Sequence, residues 1–417
     1  MKTLFLLPPS VPFYFNEGHR LLSWEVAQYM RKHTDSEVKC LDAGVLNFTY
    51  KDLLLELSNK YDLVCIQVEF DNINSLNNTI GIIKNVCRKT KVLLFGRVTV
   101  LYTKQFLQLN PDAILFSGDP ESGIVGYYNS LKSNEEKATP GICTLRNGEY
   151  IFGENGEFID QKDLEFPKIE EIPLKDYDRM YSNSKLKFSG IAGKRELTIP
   201  IGRGCPNNCS FCHIPKYQGL RDRRHSIESI IDYIKEIKNK IPFDYLSFYC
   251  PTFVLKKEWN MAFSKALIDQ KMNIKWKACT ELYFLDKELL ETFKKSGCLR
   301  ISIGLEVLTK KENLLNKHKT NQEEKLLEIS KICKDLDIEL NCFVIIGLPG
   351  SSIADLKYTF EILNTNNISY RQTLYSDFNN TDIDIFKNEY KLNRMYLSED
   401  DFTDSEIEEL YDLYLRK

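Results

Sequence analysis

The chain of 417 residues carries 56 Lys and Arg against 59 Asp and Glu, a formal net charge of −3, and 12 cysteines. This near-neutral balance lacks the basic footprint of a nucleic-acid binder, and with no run of about 18 apolar residues no membrane span is expected. The length suits two or three domains; scattered cysteines, behind an apolar start (Leu4-Phe5-Leu6-Leu7) too short for a signal peptide, predict reduced thiols and a cytoplasmic location.

In chain order, residues 1–131 alternate short apolar runs with amphipathic stretches. Strands are predicted at 3–7, 38–41, 63–68, 92–95 and 113–116, and helices at about 18–31, 51–58, 76–88, 103–109 and 123–131. Five β-α units in this rhythm predict a doubly wound, Rossmann-like parallel sheet of the α/β class. Ligands of such sheets bind beyond the carboxyl ends of the strands. Residues 132–195 carry Gly141, Gly148, Gly153, Gly156, Pro167 and Pro173 and read as an ordered linker, with 142–146 and 149–152 as a hairpin crossing between domains.

From 196 to 375 the β-α rhythm resumes with longer helices. An apolar strand at 199–201 is followed by strands at 245–249, 274–278, 300–303 and 339–346, and by a poorly marked one at 369–374. Ser226 is a plausible N-cap for a helix running to about Lys240. The segment 376–417 is rich in Asp, Glu, Tyr and Asn; Ser405 with Glu408 three residues on has the pattern of a capping box before a final helix.

The most informative stretch is Cys205-Pro206-Asn207-Asn208-Cys209-Ser210-Phe211-Cys212. Three cysteines do not by themselves complete a structural zinc site, which takes four protein ligands. They do suit a [4Fe–4S] cube, holding three irons and leaving the fourth open. The other reading is a zinc knuckle that draws a fourth ligand from His213 or elsewhere, a binding module rather than an enzyme. Gly202-Arg203-Gly204 precedes the loop and lets the backbone turn tightly.

With these flanks the loop resembles the cluster loop of the radical S-adenosylmethionine (SAM) superfamily. The resemblance implies that Cys205, Cys209 and Cys212 ligate the cube, that SAM chelates the open iron, and that reduction splits SAM to a 5′-deoxyadenosyl radical. It also implies a partial (β/α)6 TIM-type barrel over 196–375, with functional residues at the carboxyl ends of its strands. Phe211 then stands against the adenine, Glu281 near the SAM amino group or ribose or else as a solvated loop carboxylate, and Ser302 and Gly304 where backbone approaches SAM, with Glu306 of the same SAM-binding motif anchoring the following loop. Val344 and Ile346 belong to apolar backbone flanking the adenine. Lys319 occupies a position where relatives often carry a lysine, or else is salt-bridged at a helix start. Cys250, in Cys250-Pro251-Thr252-Phe253, replaces a usual carboxylate; it is an inert buried thiol, a ligand, or a hydrogen-atom donor in catalysis. The basic run Arg221-Asp222-Arg223-Arg224-His225 is either a family feature or a solvated turn.

The N-terminal turns resemble those of the cobalamin-binding group within that superfamily: Leu6-Leu7-Pro8-Pro9, Leu41-Asp42-Ala43, Gly96-Arg97-Val98-Thr99 and Ser117-Gly118-Asp119-Pro120-Glu121. Pro8, Gly96, Ser117 and Gly118 are the implied cobalamin contacts. No D-x-H-x-x-G signature is present, His19 reads as structural or as a ligand contact and His33 as a solvated helix cap, and many members of the group bind cobalamin without a histidine ligand. Two departures bear on the cofactor: Glu69-Phe70-Asp71 brings bulk and charge near the corrin face, and Arg97 replaces the second glycine of the usual turn. The implied function is a cobalamin-dependent radical SAM methyltransferase acting on an unactivated carbon of a small-molecule or peptide substrate. An electron donor such as flavodoxin or ferredoxin would serve the cluster. The alternative is a cobalamin-independent rearrangement, cyclisation or oxidation, with the N-terminal domain as scaffold.

Overall fold

The computed structural model describes residues 1–10, 17–134, 138–182, 190–191, 193–309, 319, 322–376, 384–387 and 402–415. They divide into two compact units: 1–193 with 213–224 and the described part of 378–389, and 194–212 with 225–377 and the described part of 390–417.

In the first unit, β1 (Lys2–Leu7), β2 (Glu37–Asp42), β3 (Leu63–Gln67), β4 (Lys91–Phe95) and β5 (Ala113–Leu115) form a parallel sheet in the order β2-β1-β3-β4-β5. This is a doubly wound order whose switch point lies between β1 and β3, where such sheets bind ligands. Every residue of β3 is buried, as expected of a strand covered on both faces. The helices Leu22–His33 and Pro120–Ser133 bring Val26, Ala27, Met30, Ile124, Tyr127 and Tyr128 onto Phe5, Leu63, Cys65, Leu93 and Phe95.

Two local expectations shift. The hairpin read as crossing between domains forms, as β6 (Ile142–Arg146) and β7 (Glu149–Phe152), but adds antiparallel to β5, with Leu115 opposite Ile142. Ile142 and Cys143 are fully buried there and extend the core, which holds the segment on the sheet. The helix predicted at 103–109 forms and ends in a 3-10 turn at Leu107–Leu109, but the helical segment begins earlier, at Arg97 directly after Gly96, and is kinked at Tyr102. Its spacing explains the start: Val98, Tyr102 and Phe106 recur every fourth residue and are all buried.

In the second unit, β8 (Glu196–Pro200), β9 (Tyr245–Tyr249), β10 (Trp276–Thr280), β11 (Cys298–Glu306), β12 (Glu339–Ile346) and β13 (Ser369–Leu374) are all parallel and lie in sequence order. Helices Ile227–Lys240, Lys257–Asp269, Lys287–Lys295, Glu323–Asp335 and Ile353–Thr365 follow the first five strands. This is the six-unit partial barrel, including the sixth strand that periodicity marked poorly.

One face of these strands packs against the helices. Trp276 lies 5.6, 5.5 and 5.1 Å from the rings of Phe248, Phe253 and Phe293. The other face is mixed in character and less buried: Ser247, Tyr249, Cys279, Gly304, Phe343 and Ile345 are half-buried, while their strand neighbours Leu246, Phe248, Ala278, Ile303 and Val344 are buried. At the amino ends that face carries two ion pairs, Lys277–Glu196 at 2.9 Å and Arg300–Glu339 at 2.8 Å. Ser226 caps its helix, accepting from Ser229 N at 3.1 Å. The final helix, Asp404–Leu415, is capped two residues earlier than expected. Thr403 and Glu406 exchange the reciprocal bonds, Glu406 Oε2 accepting from Thr403 N at 2.8 Å, because a threonine sits three residues before that acid. No helix among the described residues is long and apolar enough to cross a membrane.

Candidate active site

The three cysteines follow the carboxyl end of β8. Ile201 N donates to Tyr249 O at 2.9 Å, which continues the pairing with β9 up to the loop. Gly204 then adopts φ +83° and Asn208 φ +45°, left-handed conformations that glycine and asparagine tolerate best. Cys212 N donates to Cys209 O at 3.0 Å and closes the second turn. Cys205 and Cys209 are buried and Cys212 is half-buried. Burial pushes the Cys209 thiol up to about 12, so it ionises at neutral pH only when a metal ion takes the proton's place.

No three His, Cys, Asp or Glu side chains among the described residues gather around one point as a single ion requires. A cube asks for a different arrangement, three thiolates each on its own iron. The donor chemistry, soft sulfurs in a buried glycine-flanked loop, fits such a cluster. Thr252, just beyond β9, places Oγ1 3.5 Å from Cys205 Sγ and offers a hydroxyl to that sulfur.

Next to the loop lies a buried charged hub. Lys319 is 1% exposed and its Nζ lies 2.6 Å from Glu281 Oε2 and 2.9 Å from Glu306 Oε1. The same ammonium donates to Gly304 O at 2.7 Å and stands 5.9 Å from the centre of the Phe211 ring. Glu281 follows β10 and Glu306 ends β11. Burial holds the Glu281 carboxyl above its ordinary range, with Lys319 opposing. Burial alone would lower the Lys319 ammonium, but Glu306 and Glu281 outweigh it and keep the charge in place.

Backbone geometry is adapted to this hub. The pairing of β11 with β12 shifts register between Gly304 and Glu306, and Glu306 adopts φ +62°. A bulge with a non-glycine left-handed residue is a strained feature that its surroundings must hold. A Cβ on Gly304 would stand 2.5 Å from Glu306 Oε1 and 3.0 Å from Lys319 Nζ, so an alanine there would push the ends of those two side chains aside.

Of the remaining sequence-predicted residues, Ser302 is buried and accepts from Asn341 Nδ2 at 3.3 Å. Val344 and Ile346 are fully buried on the face opposite Asn341; strand alternation puts Phe343 and Ile345 on the less buried face instead. Cys250 is buried just after β9. Burial pushes the neighbouring Cys279 thiol up to about 12, with Glu281, Glu306 and Cys250 adding to the rise.

In the first unit, the carboxyl ends of β1–β4 carry a second buried network. Arg20 donates to both oxygens of Asp42, at 2.9 and 2.7 Å, and to Asp71 Oδ2 at 2.8 Å. Tyr177 OH donates to Asp42 at 3.3 Å. Arg97 Nε donates to Glu69 Oε2 at 2.6 Å, its guanidinium lies 4.7 Å above the Phe70 ring, and its Nη1 is 3.4 Å from His19 Nε2. Asp71 Oδ1 is buried with no hydrogen-bond partner among the described residues. Pro8 is buried, and Gly96 adopts φ +119° against the Val68 backbone. Ser117 Oγ accepts from Gly156 N at 2.8 Å, and a Cβ on Gly118 would meet Gly156 C at 2.5 Å. These two residues therefore pack against the 153–157 strip.

The basic run after the cluster loop is not a solvated turn throughout. Arg223 is 1% exposed, pairs with the equally buried Asp119, donates to Ile159 O at 2.8 Å and lies 5.3 Å from the Phe158 ring. Sequence reading singled out neither Thr252 nor the Arg223–Asp119 pair. Thr252 had a local signal, since it sits in the same four residues as Cys250; the partner of Arg223 is 104 residues away and left none.

Residues 199–363 match the family model described as the Radical SAM superfamily. A relative in Pyrococcus horikoshii, an uncharacterized methyltransferase, is 24% identical over 382 residues, 89% of this chain and 80% of that relative. Among solved structures, the radical SAM methyltransferase TsrM of Kitasatospora setae, with tryptophan substrate and a SAM analogue bound, is similar at a TM-score of 0.74 and 13% identity. That match covers 90% of this chain and 73% of TsrM. The cobalamin-dependent SAM radical enzyme OxsB, with aqua-cobalamin and SAM bound, is similar at 0.69 and 16% identity, covering 94% of this chain and 55% of OxsB. At these identities the structural likeness concerns the fold, across both units.

Proposed function

We propose that this chain is a radical SAM methyltransferase that uses cobalamin in its first unit and acts on an unactivated carbon of a small molecule or peptide; the match of residues 199–363 to the Radical SAM superfamily model supports this reading. The observation that carries the reading is the three-cysteine loop beside the Lys319–Glu281–Glu306 hub, in one chain with a doubly wound domain. TsrM has also been solved with cobalamin and a [4Fe–4S] cluster bound.

When bound, the cube would supply the electron that cleaves SAM, and cobalamin would carry the methyl group. Cys205, Cys209 and Cys212 would hold three irons. Phe211 would lie along the adenine, and Glu281 and Glu306 would face the cationic groups of SAM, since a buried cation is favoured by nearby carboxylates. Ser302 and Gly304 would keep side-chain bulk away from the nucleoside, and the half-buried residues Ser247, Cys279 and Phe343 would face a substrate.

In the first unit, Pro8, Gly96, Asp71 and the Arg20–Asp42 network, at the carboxyl ends of the strands, are the residues that would hold cobalamin. Asp71 Oδ1, an acceptor without a partner among the described residues, is the kind of group that corrin amide N–H donors would satisfy. The residues present fit that cofactor. The second reading, a radical reaction without cobalamin, draws on one observation: Arg97 and Glu69 neutralise each other within the crevice.

The test is a reaction of anaerobically prepared protein with SAM, a strong reductant and cobalamin, analysed by mass spectrometry. Formation of both S-adenosylhomocysteine and 5′-deoxyadenosine is expected. 5′-Deoxyadenosine alone would favour the second reading, and neither product from a cluster-loaded protein would overturn both.

A further inference from the structure

Lys319 does more than neutralise a buried acid. Its ammonium uses one oxygen of each carboxylate, Glu281 Oε2 and Glu306 Oε1. These two contacts do not involve Glu281 Oε1 or Glu306 Oε2. Two carboxylates and one ammonium leave the hub one negative charge in excess, the complement of a cationic ligand. The same ammonium holds the Gly304 carbonyl, and with it the bulge at which Glu306 takes φ +62°. Its place beside the Phe211 ring ties this arrangement to the loop of the cysteines. Four elements distant in sequence (the cluster loop, the end of β10, the end of β11 and position 319) therefore meet on one nitrogen.

We infer that Lys319 is the positioning residue of the SAM site: it fixes the two carboxylates and the Gly304 bulge in the arrangement that receives SAM, without being a ligand of the cluster. This rests on the reading of the chain as a SAM-binding enzyme. Removal of Lys319 would leave two carboxylates buried near each other, which repel and take up protons.

The experiment compares wild type, Lys319→Met, Lys319→Arg and Gly304→Ala, each reconstituted anaerobically. Iron content, the dissociation constant for radiolabelled SAM by equilibrium dialysis, and the electron paramagnetic resonance spectrum of the reduced cluster with and without SAM are measured. Lys319→Met is expected to keep wild-type iron and the SAM-free spectrum, to bind SAM at least tenfold more weakly, and to lose the SAM-induced spectral change. Lys319→Arg is expected to recover part of that affinity. Gly304→Ala keeps every charge and displaces the hub by its methyl group, so it should weaken SAM in the same way and serves if Lys319→Met does not fold. Wild-type affinity and spectral change in a cluster-loaded Lys319→Met or Gly304→Ala would overturn the inference. A wild-type protein that holds iron but binds no SAM would overturn the proposed function, and this inference with it.

Discussion

Arg97 Nε lies 2.6 Å from Glu69 Oε2, so the two residues whose charge and bulk stood out at the crevice face each other as a pair. Their side chains are 13% and 6% exposed, and breaking a pair of this kind leaves an uncompensated buried charge. Arg97→Ala is expected to destabilise the protein by about 3 kcal/mol near neutral pH. Burial already holds the Glu69 carboxyl above its ordinary range, with Arg97 opposing. A carboxyl raised in the folded state loses stability as pH rises through the window above its unfolded value. Without Arg97 the rise is larger, so the defect should shrink on acidification toward pH 5. Denaturant unfolding of both proteins across that range measures it; a defect independent of pH would contradict the assignment.

His225 gives a pH dependence of the opposite sense. Burial, then the neighbouring Arg203, lowers it to about 3 from an ordinary value of 6.5. The unfolded chain therefore binds a proton that the folded chain refuses between those values, and stability falls as pH falls through the window. The loss is about 1.4 kcal/mol per pH unit for one such group. His225→Gln should flatten that part of the stability profile, and unfolding midpoints from pH 7.5 to 5.5 would reveal it.

Cys250 and Thr252 separate two roles near the loop. Cys250→Ala is expected to retain wild-type iron, because in the proposed site Cys205, Cys209 and Cys212 would hold the cluster, whereas Cys209→Ala should lose it. Thr252→Val removes a hydroxyl 3.5 Å from Cys205 Sγ. Losing a hydrogen bond to a ligating sulfur destabilises the reduced cluster, so the reduction potential should become more negative. A redox titration followed by electron paramagnetic resonance reads the shift, and an unchanged potential would remove Thr252 from the cluster's surroundings.

The Asp119–Arg223 pair is a structural clamp, with both side chains 1% exposed. Asp119→Ala is expected to cost about 3–5 kcal/mol, while replacing both partners by apolar residues should recover much of it. A double-mutant cycle of unfolding free energies checks this, and additive effects would show that the two residues do not act as a pair.

Much of the architecture was legible locally. The alternation of apolar runs and amphipathic stretches marked the strands of both sheets, and Cys205, Cys209 and Cys212 marked their loop by spacing alone. What was not legible depends on pairing between distant residues. The hairpin at 142–152 showed its turn, but not that β5 would be its partner. Lys319 read as a lysine of the family pattern or one salt-bridged at a helix start, with no partner named; its partners are Glu281 and Glu306, brought to it by strands whose register no local pattern encodes. Arg97 read as an intruder in a glycine turn, and only the folded sheet shows Glu69 within its reach.

The central claim concerns two metals in one chain, and iron and cobalt analysis of protein produced anaerobically with cobalamin supplied tests it most directly. The account predicts about four irons and one cobalt per chain, as one cube and one corrin require. Four irons without cobalt would contradict the cobalamin dependence, and the absence of iron after anaerobic reconstitution would contradict the account as a whole.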